Sequence, residues 1–150
     1  MCIRDSLIAA EHGKANCVEA LLKGGANPEA ANDKGHTALI AASKVHAGCV
    51  EALLKGGASL EATTNEGFTA LIYAAQEGYA DCVEALLKGG ANVHAKSNIG
   101  WTALIMAAWK GHTDCCRLLL RAGADPSAKD KWGTTPLAIA EQEGLSLIHI

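Results

Sequence analysis

Cysteine is the residue type in this chain whose spacing most invites chemistry. Cys17, Cys49, Cys82 and Cys115 follow one another at steps of 32, 33 and 33 residues, and Cys116 sits directly after the last of them. A disulfide needs its two Cα atoms within about 7 Å. Residues that recur once per stacked unit are separated by one packing distance, about 10 Å between helices, so the four recurring thiols are expected not to pair. Each lies in an apolar stripe, beside Val18, Val50 or Val83 in the first three cases, where a free cysteine acts as a small hydrophobe. That usage suits a reducing compartment. His112, Cys115 and Cys116 form an H-x2-C-C cluster with the residue types of a zinc corner. Adjacent residues on a helix point about 100° apart, and no CxxC pair stands elsewhere, so no metal site is expected. The Gly-Gly pairs follow helices instead of joining a strand to a helix, which makes them helix ends and not phosphate cradles. Glu19, Glu51 and Glu84 are each followed four residues later by Lys23, Lys55 or Lys88, the pattern of a solvated helix face. No Ser, Cys or Lys nucleophile is placed beside a base. Catalytic, cofactor-binding and metal-binding residues are all expected to be absent, and the chain is read as a non-enzyme.

The elements that carry these residues repeat. Gly25, Gly57, Gly90 and Gly123 keep the cysteine step, and so do Gly35, Gly67, Gly100 and Gly133. A fixed period in this range is the signature of a stacked array. Within each unit Thr37, Thr69, Thr102 or Thr135 can cap a first helix, and Pro136 follows the last at the interior position that tolerates proline. Leu71, Ala74 and Ala75, or Leu104, Ala107 and Ala108, make that helix amphipathic, and Gly78 or Gly111 stops it. Asp81 or Asp114 opens a second helix whose stripe in the third unit is Cys82, Val83, Leu86 and Leu87. Helices this short are marginal alone. Stacking between neighbouring units must supply the stability, with function left to the outside. One unit departs from the rest: Thr37 to Cys49 is a step of twelve where the other units have thirteen, and Val45 stands where Gly78 and Gly111 stand. A rebuilt turn is predicted between Lys44 and Gly48, because a β-branched residue is unfavourable in the left-handed region.

Bulk properties agree with a packed chain. In 150 residues, 49% are hydrophobic, and 13 basic against 16 acidic residues give a net charge of −3. That excludes disorder, and with no run of like charge it argues against nucleic-acid and anionic-membrane partners. The longest apolar run, Ala103 to Trp109, falls well short of the ~18 residues that span a bilayer, so a soluble chain is expected. With only three Trp, two Tyr and one Phe, the interior must be filled by small and aliphatic residues, which favours closely packed short helices.

The pattern G-x-T-A-L-I-x-A-A-x-x-G-[YH]-x-D-C-x-x-x-L-L-x-x-G-A, at Gly67 to Ala91 and Gly100 to Ala124, resembles the ankyrin repeat. Thr135, Pro136 and Leu137 keep that family's Thr-Pro-Leu, whereas the other units read Thr-Ala-Leu. Ile40, Ile72, Ile105 and Ala138 occupy the position that a histidine usually takes, while His112 fills the family's Gly-His turn. The resemblance implies an all-α, ankyrin-like helix-turn-helix solenoid of about four repeats with short loop fingers. It also implies a non-enzymatic module that binds a protein or peptide, as a monomer, inside the cell and in its cytoplasm. In such proteins the loop tips and the inward face of the first helices hold the partner. Those positions here include Glu66, Phe68, Glu77, Ile99, Trp101, Trp109, Lys110, Lys131 and Trp132. Phe68 and Trp101 are expected to be neighbours, with Trp132 at the next tip and Trp109 on the adjoining helix, in one aromatic patch with a mixed-charge rim. The alternatives are a structural spacer and a regulatory segment of a larger enzyme or channel.

The repeat is expected to occupy residues 7–144, in units of about 7–31, 32–63, 64–96, 97–129 and 130–144. Residues 1–6 (MCIRDS) and 145–150 (LSLIHI) fit neither the repeat nor each other as peptides. As codons they are reverse complements: ATG TGT ATA AGA GAC AG reads the first, and CTG TCT CTT ATA CAC AT reads the second. Both hexapeptides are therefore expected to be non-native, derived from a sequencing adapter, and to carry no fold information. Glu141 stands where interior units have Ala75 and Ala108, which predicts a closing unit with a polar outer face.

Overall fold

A computed structural model describes residues 8, 9, 12, 14–44 and 46–142. Both terminal hexapeptides and Val45 lie outside the described residues. Eight helices are named among the described residues: α1 (Ala15–Lys23), α2 (Ala38–Ser43), α3 (Ala47–Lys55), α4 (Ala70–Glu77), α5 (Ala80–Lys88), α6 (Ala103–Lys110), α7 (Thr113–Arg121) and α8 (Pro136–Gln142). There is no strand among the described residues, only an isolated antiparallel bridge between Ala31 and Thr37. The fold is an all-helical helix-turn-helix solenoid.

The first helices form one row, α2 on α4, α4 on α6 and α6 on α8. The second helices form another, α1 on α3, α3 on α5 and α5 on α7. Small side chains allow the close approach: Ala74, Ala75, Ala107 and Ala108 are completely buried, and Leu71, Ile72, Leu104 and Ile105 fill the space around them. Each such Leu contributes roughly 1.5 to 3 kcal/mol on burial, so the short helices are held by their neighbours.

Local chemistry sets the boundaries. The Oγ1 of Thr37, Thr69, Thr102 and Thr135 accepts a hydrogen bond from the backbone N–H three residues on, at 3.2 to 3.3 Å, which satisfies an otherwise unpaired first-turn donor. Gly78 and Gly111 end α4 and α6 in the left-handed region at φ 76° and 78°. The second unit does without this device. α2 spans only six residues and ends with Lys44 at φ −77°, in the right-handed region, and the His46 N–H donates to the Ala42 carbonyl at 2.8 Å. The second unit, one residue shorter between its capping threonine and its cysteine, has a shorter first helix that ends at Ser43, and no described non-glycine residue has a positive φ.

The loops that precede the first helices are fingers built on one rule. Five residues before each capping threonine stands a short acceptor side chain: Asn32, Thr64, Ser97 or Asp130. Its oxygen receives backbone N–H bonds from the tip, as Thr64 does from Phe68 at 3.2 Å and Asp130 from Trp132 and Thr134 at 2.9 Å each. Adjacent fingers are also tied together. The N–H groups of Asn65, Asn98 and Lys131 donate to the carbonyls of Lys34, Glu66 and Ile99, all at 3.0 Å. This ladder needs glycine behind it. Gly67 lies at φ 83°, and a Cβ there would stand 2.6 Å from Asn98 Oδ1 and 2.9 Å from its backbone nitrogen.

Candidate functional site

Chemistry at the cysteines is disfavoured by burial. Cys49, Cys82, Cys115 and Cys116 lie in the core with essentially no exposure. Removal from water raises the Cys49 thiol pKa and pushes those of Cys82, Cys115 and Cys116 up to about 11, with smaller contributions from Asp81 and Asp114 beside Cys82 and Cys115. They stay protonated at neutral pH and so are poor nucleophiles. Cys17 departs from the expected burial: it is a free, exposed thiol. α1 packs on α3, and Val18 is its one fully buried residue. The imagined zinc corner is split. His112 points back across the stack, its Nε2 at 2.9 Å from the Gln76 carbonyl, while the two cysteines face the core. Among the described residues no group of three His, Cys, Asp or Glu side chains is arranged to hold a metal ion. Among them also, no helix is long and apolar enough to cross a membrane.

The fingers and first helices carry a different kind of site. Trp109, near the end of α6, is 42% exposed, and Trp132, at the tip of the last finger, is 62% exposed. Both are large apolar surfaces on backbone that is fixed by the cap and ladder bonds. Lys110 Nζ lies 4.3 Å from the ring centre of Trp109, and Lys131 Nζ lies 4.6 Å from that of Trp132, so each exposed indole carries its own ammonium group. Glu66, Glu77, Lys110 and Lys131 are all exposed, and Ile99 is half-buried.

Phe68 and Trp101 are placed otherwise. Both are half-buried against the core. Among the described residues the ring contacts join Phe68 to Tyr73, at 5.4 Å between centroids, and Trp101 to Trp109, at 5.1 Å, instead of joining Phe68 to Trp101. The fingers that carry Phe68 and Trp101 are adjacent, but their rings make their contacts in separate groups. The Trp101 indole N–H also donates to Asp130 Oδ2 at 3.1 Å, fastening one finger to the next. Asp130 is buried and uses both carboxylate oxygens, one on Trp101 and the other on its own finger.

Two members of this surface were missed in the sequence. Tyr73 is the centre of the first group: besides Phe68 it meets the ring of His36 at 5.6 Å, and Lys44 Nζ lies 4.8 Å from its ring centre. Its counterparts, Ala41 and Met106, are buried core residues, so the period reads it as core. Asp130 could have been found by aligning the fingers, because Asn32, Thr64 and Ser97 hold the same place.

The comparison with protein families agrees with the geometry. A model described as ankyrin repeats (3 copies) matches residues 6–97, and one described as ankyrin repeat matches residues 99–131. Among curated proteins none matches.

Proposed function

The chain belongs to the ankyrin repeat family, whose repeats are generally protein-interaction modules, and on that premise we propose that it is a non-enzymatic module gripping a protein or peptide with its fingers and first helices. The carrying observation is the pair of exposed indoles, Trp109 and Trp132, held on rigid backbone. Large rings that need no ordering on binding are what interface hot spots are made of. Ile99, the ammonium groups of Lys110 and Lys131, and the carboxylates of Glu66 and Glu77 supply a polar rim. Phe68 and Trp101 act beneath this surface, positioning the fingers. The free, buried thiols support work in a reducing, intracellular setting, with the cytoplasm as the simplest choice.

A second reading, a spacer that fixes the distance between other parts of a protein, draws on the packing of Phe68 and Trp101. It leaves the exposure of Trp109 and Trp132 without a use. Affinity capture separates the two. The wild-type chain and a Trp109→Ala/Trp132→Ala variant are used as paired baits, and the interaction reading expects proteins held by the first and lost from the second. Identical captures on both baits, at equal thermal stability, would favour the spacer.

A further inference from the structure

The exposed residues of the fingers and inner-helix ends change sign along the stack. The third unit offers the carboxylates Glu66 and Glu77 and ends with Lys96, whereas the fourth and fifth offer Lys110 and Lys131 at the corresponding end, with Lys129 at a finger base. These lysines are all exposed. Of the acids there, Asp130 is buried and already spends both oxygens on Trp101, Trp132 and Thr134, while Glu141, on α8, is exposed. Lys110, Trp109, Trp101, Asp130, Lys131 and Trp132 form a continuous chain of contacts and peptide bonds. The result is a local basic and aromatic surface on a molecule whose net charge is −3.

Resting on the interaction reading, we propose that the fourth and fifth units bind an acidic, extended segment of a partner protein, with its carboxylates at Lys110 and Lys131 and an apolar side chain against Trp109 and Trp132. Two features select this chemistry. An ammonium above a ring face leaves its outward donors for a carboxylate, so one pocket wall takes an apolar group while its rim takes a charge. Glu66 and Glu77 then repel the acidic segment from the third unit, which fixes its place along the stack. A nucleic-acid strand is less well suited, because its charge repeats at every step and would run onto those same carboxylates.

The test uses the full chain and a synthetic peptide array in which extended peptides, each with one Leu or Phe, occur in Glu-rich, Gln-rich and Lys-rich versions. An oligo-dT strand is a separate arm. The Glu-rich members should bind best, about tenfold more weakly to a Lys110→Glu/Lys131→Glu variant, and that variant should turn to the Lys-rich members. Trp109→Ala should weaken every peptide that the wild type holds. Binding that falls with Trp109→Ala but shows no preference for acid leaves the interaction reading standing and overturns this inference. Oligo-dT bound more tightly than the acidic peptides overturns it as well. Failure of all peptides, with no response to any variant, counts against both.

Discussion

At the scale of the residue, the same ring type does two jobs that only the structure tells apart. Trp101 is half-buried and hydrogen-bonded to Asp130, whereas Trp109 and Trp132 are exposed. Trp132→Ala should therefore leave the melting temperature nearly unchanged while costing about 2 kcal/mol or more in partner binding. Trp101→Ala should lower thermal stability by roughly 1 to 3 kcal/mol, since it empties packed space and leaves a buried Asp130 oxygen unpaired. Leu86→Ala, in the centre of the stack, should cost about 2 to 5 kcal/mol. Paired melting and binding curves check all three. The buried thiols add a pH dependence of definite sign. Cys82, Cys115 and Cys116 have pKa values raised from 9.0 to about 11, so the unfolded chain loses these protons first as pH rises. Their stabilising contribution is complete below the unfolded value and is lost as pH rises from there through the folded value. Cys116→Val, which restores the residue found at Val18, Val50 and Val83, should leave neutral stability close to wild type and shrink the fall in melting temperature between about pH 8 and pH 11. The sequence showed which residues stand at the tips but not which were already bonded, because a donor such as the Trp101 N–H finds its acceptor in the next unit.

At the scale of the element, almost everything that stops and starts a helix is legible in one unit, because caps and glycine turns are local. Thr69→Ala should cost about 1 kcal/mol through the lost bond to the Ile72 N–H. What one unit does not reveal is the close approach between fingers. Gly57 and Gly67 both have positive φ, at 89° and 83°, yet a Cβ on Gly57 meets open space while one on Gly67 meets Asn98. Gly57→Ala should thus carry the left-handed strain alone, about 1 to 2 kcal/mol. Gly67→Ala should cost more, and denaturant melts of the two proteins side by side measure the difference. Equal losses would mean that the finger ladder yields easily. The short α2 is the other case where length alone was informative: the missing residue in the second unit announced a changed turn, and of its described flanks Lys44 is right-handed while His46 is extended as it enters α3.

At the scale of the whole molecule, stability runs from unit to unit and function runs across them. The centre is best covered, with α4 and α6 packed on both sides in the inner row, while α1 buries only Val18 fully. Native-state hydrogen exchange should show slowest exchange in α4, α5 and α6 and fastest in α1, with Cys17 the first of the described thiols to react with a labelling reagent. Uniform protection along the stack would refute nearest-neighbour stabilisation. The period made this architecture readable from sequence, since identical units can only stack; the division of the aromatics into a packed pair and an exposed pair came from contacts that cross units, which no single repeat encodes. The binding surface is the central claim, and a hydrogen-exchange footprint of the chain with and without a captured partner tests it most directly. The expected result is added protection on the fingers from Ser97 to Trp101 and Asp130 to Thr134 and at the end of α6, with α3, α5 and α7 unchanged. Protection confined to α3, α5 and α7, with the fingers exchanging as before, would place the partner on the opposite row and contradict the assignment of Trp109 and Trp132.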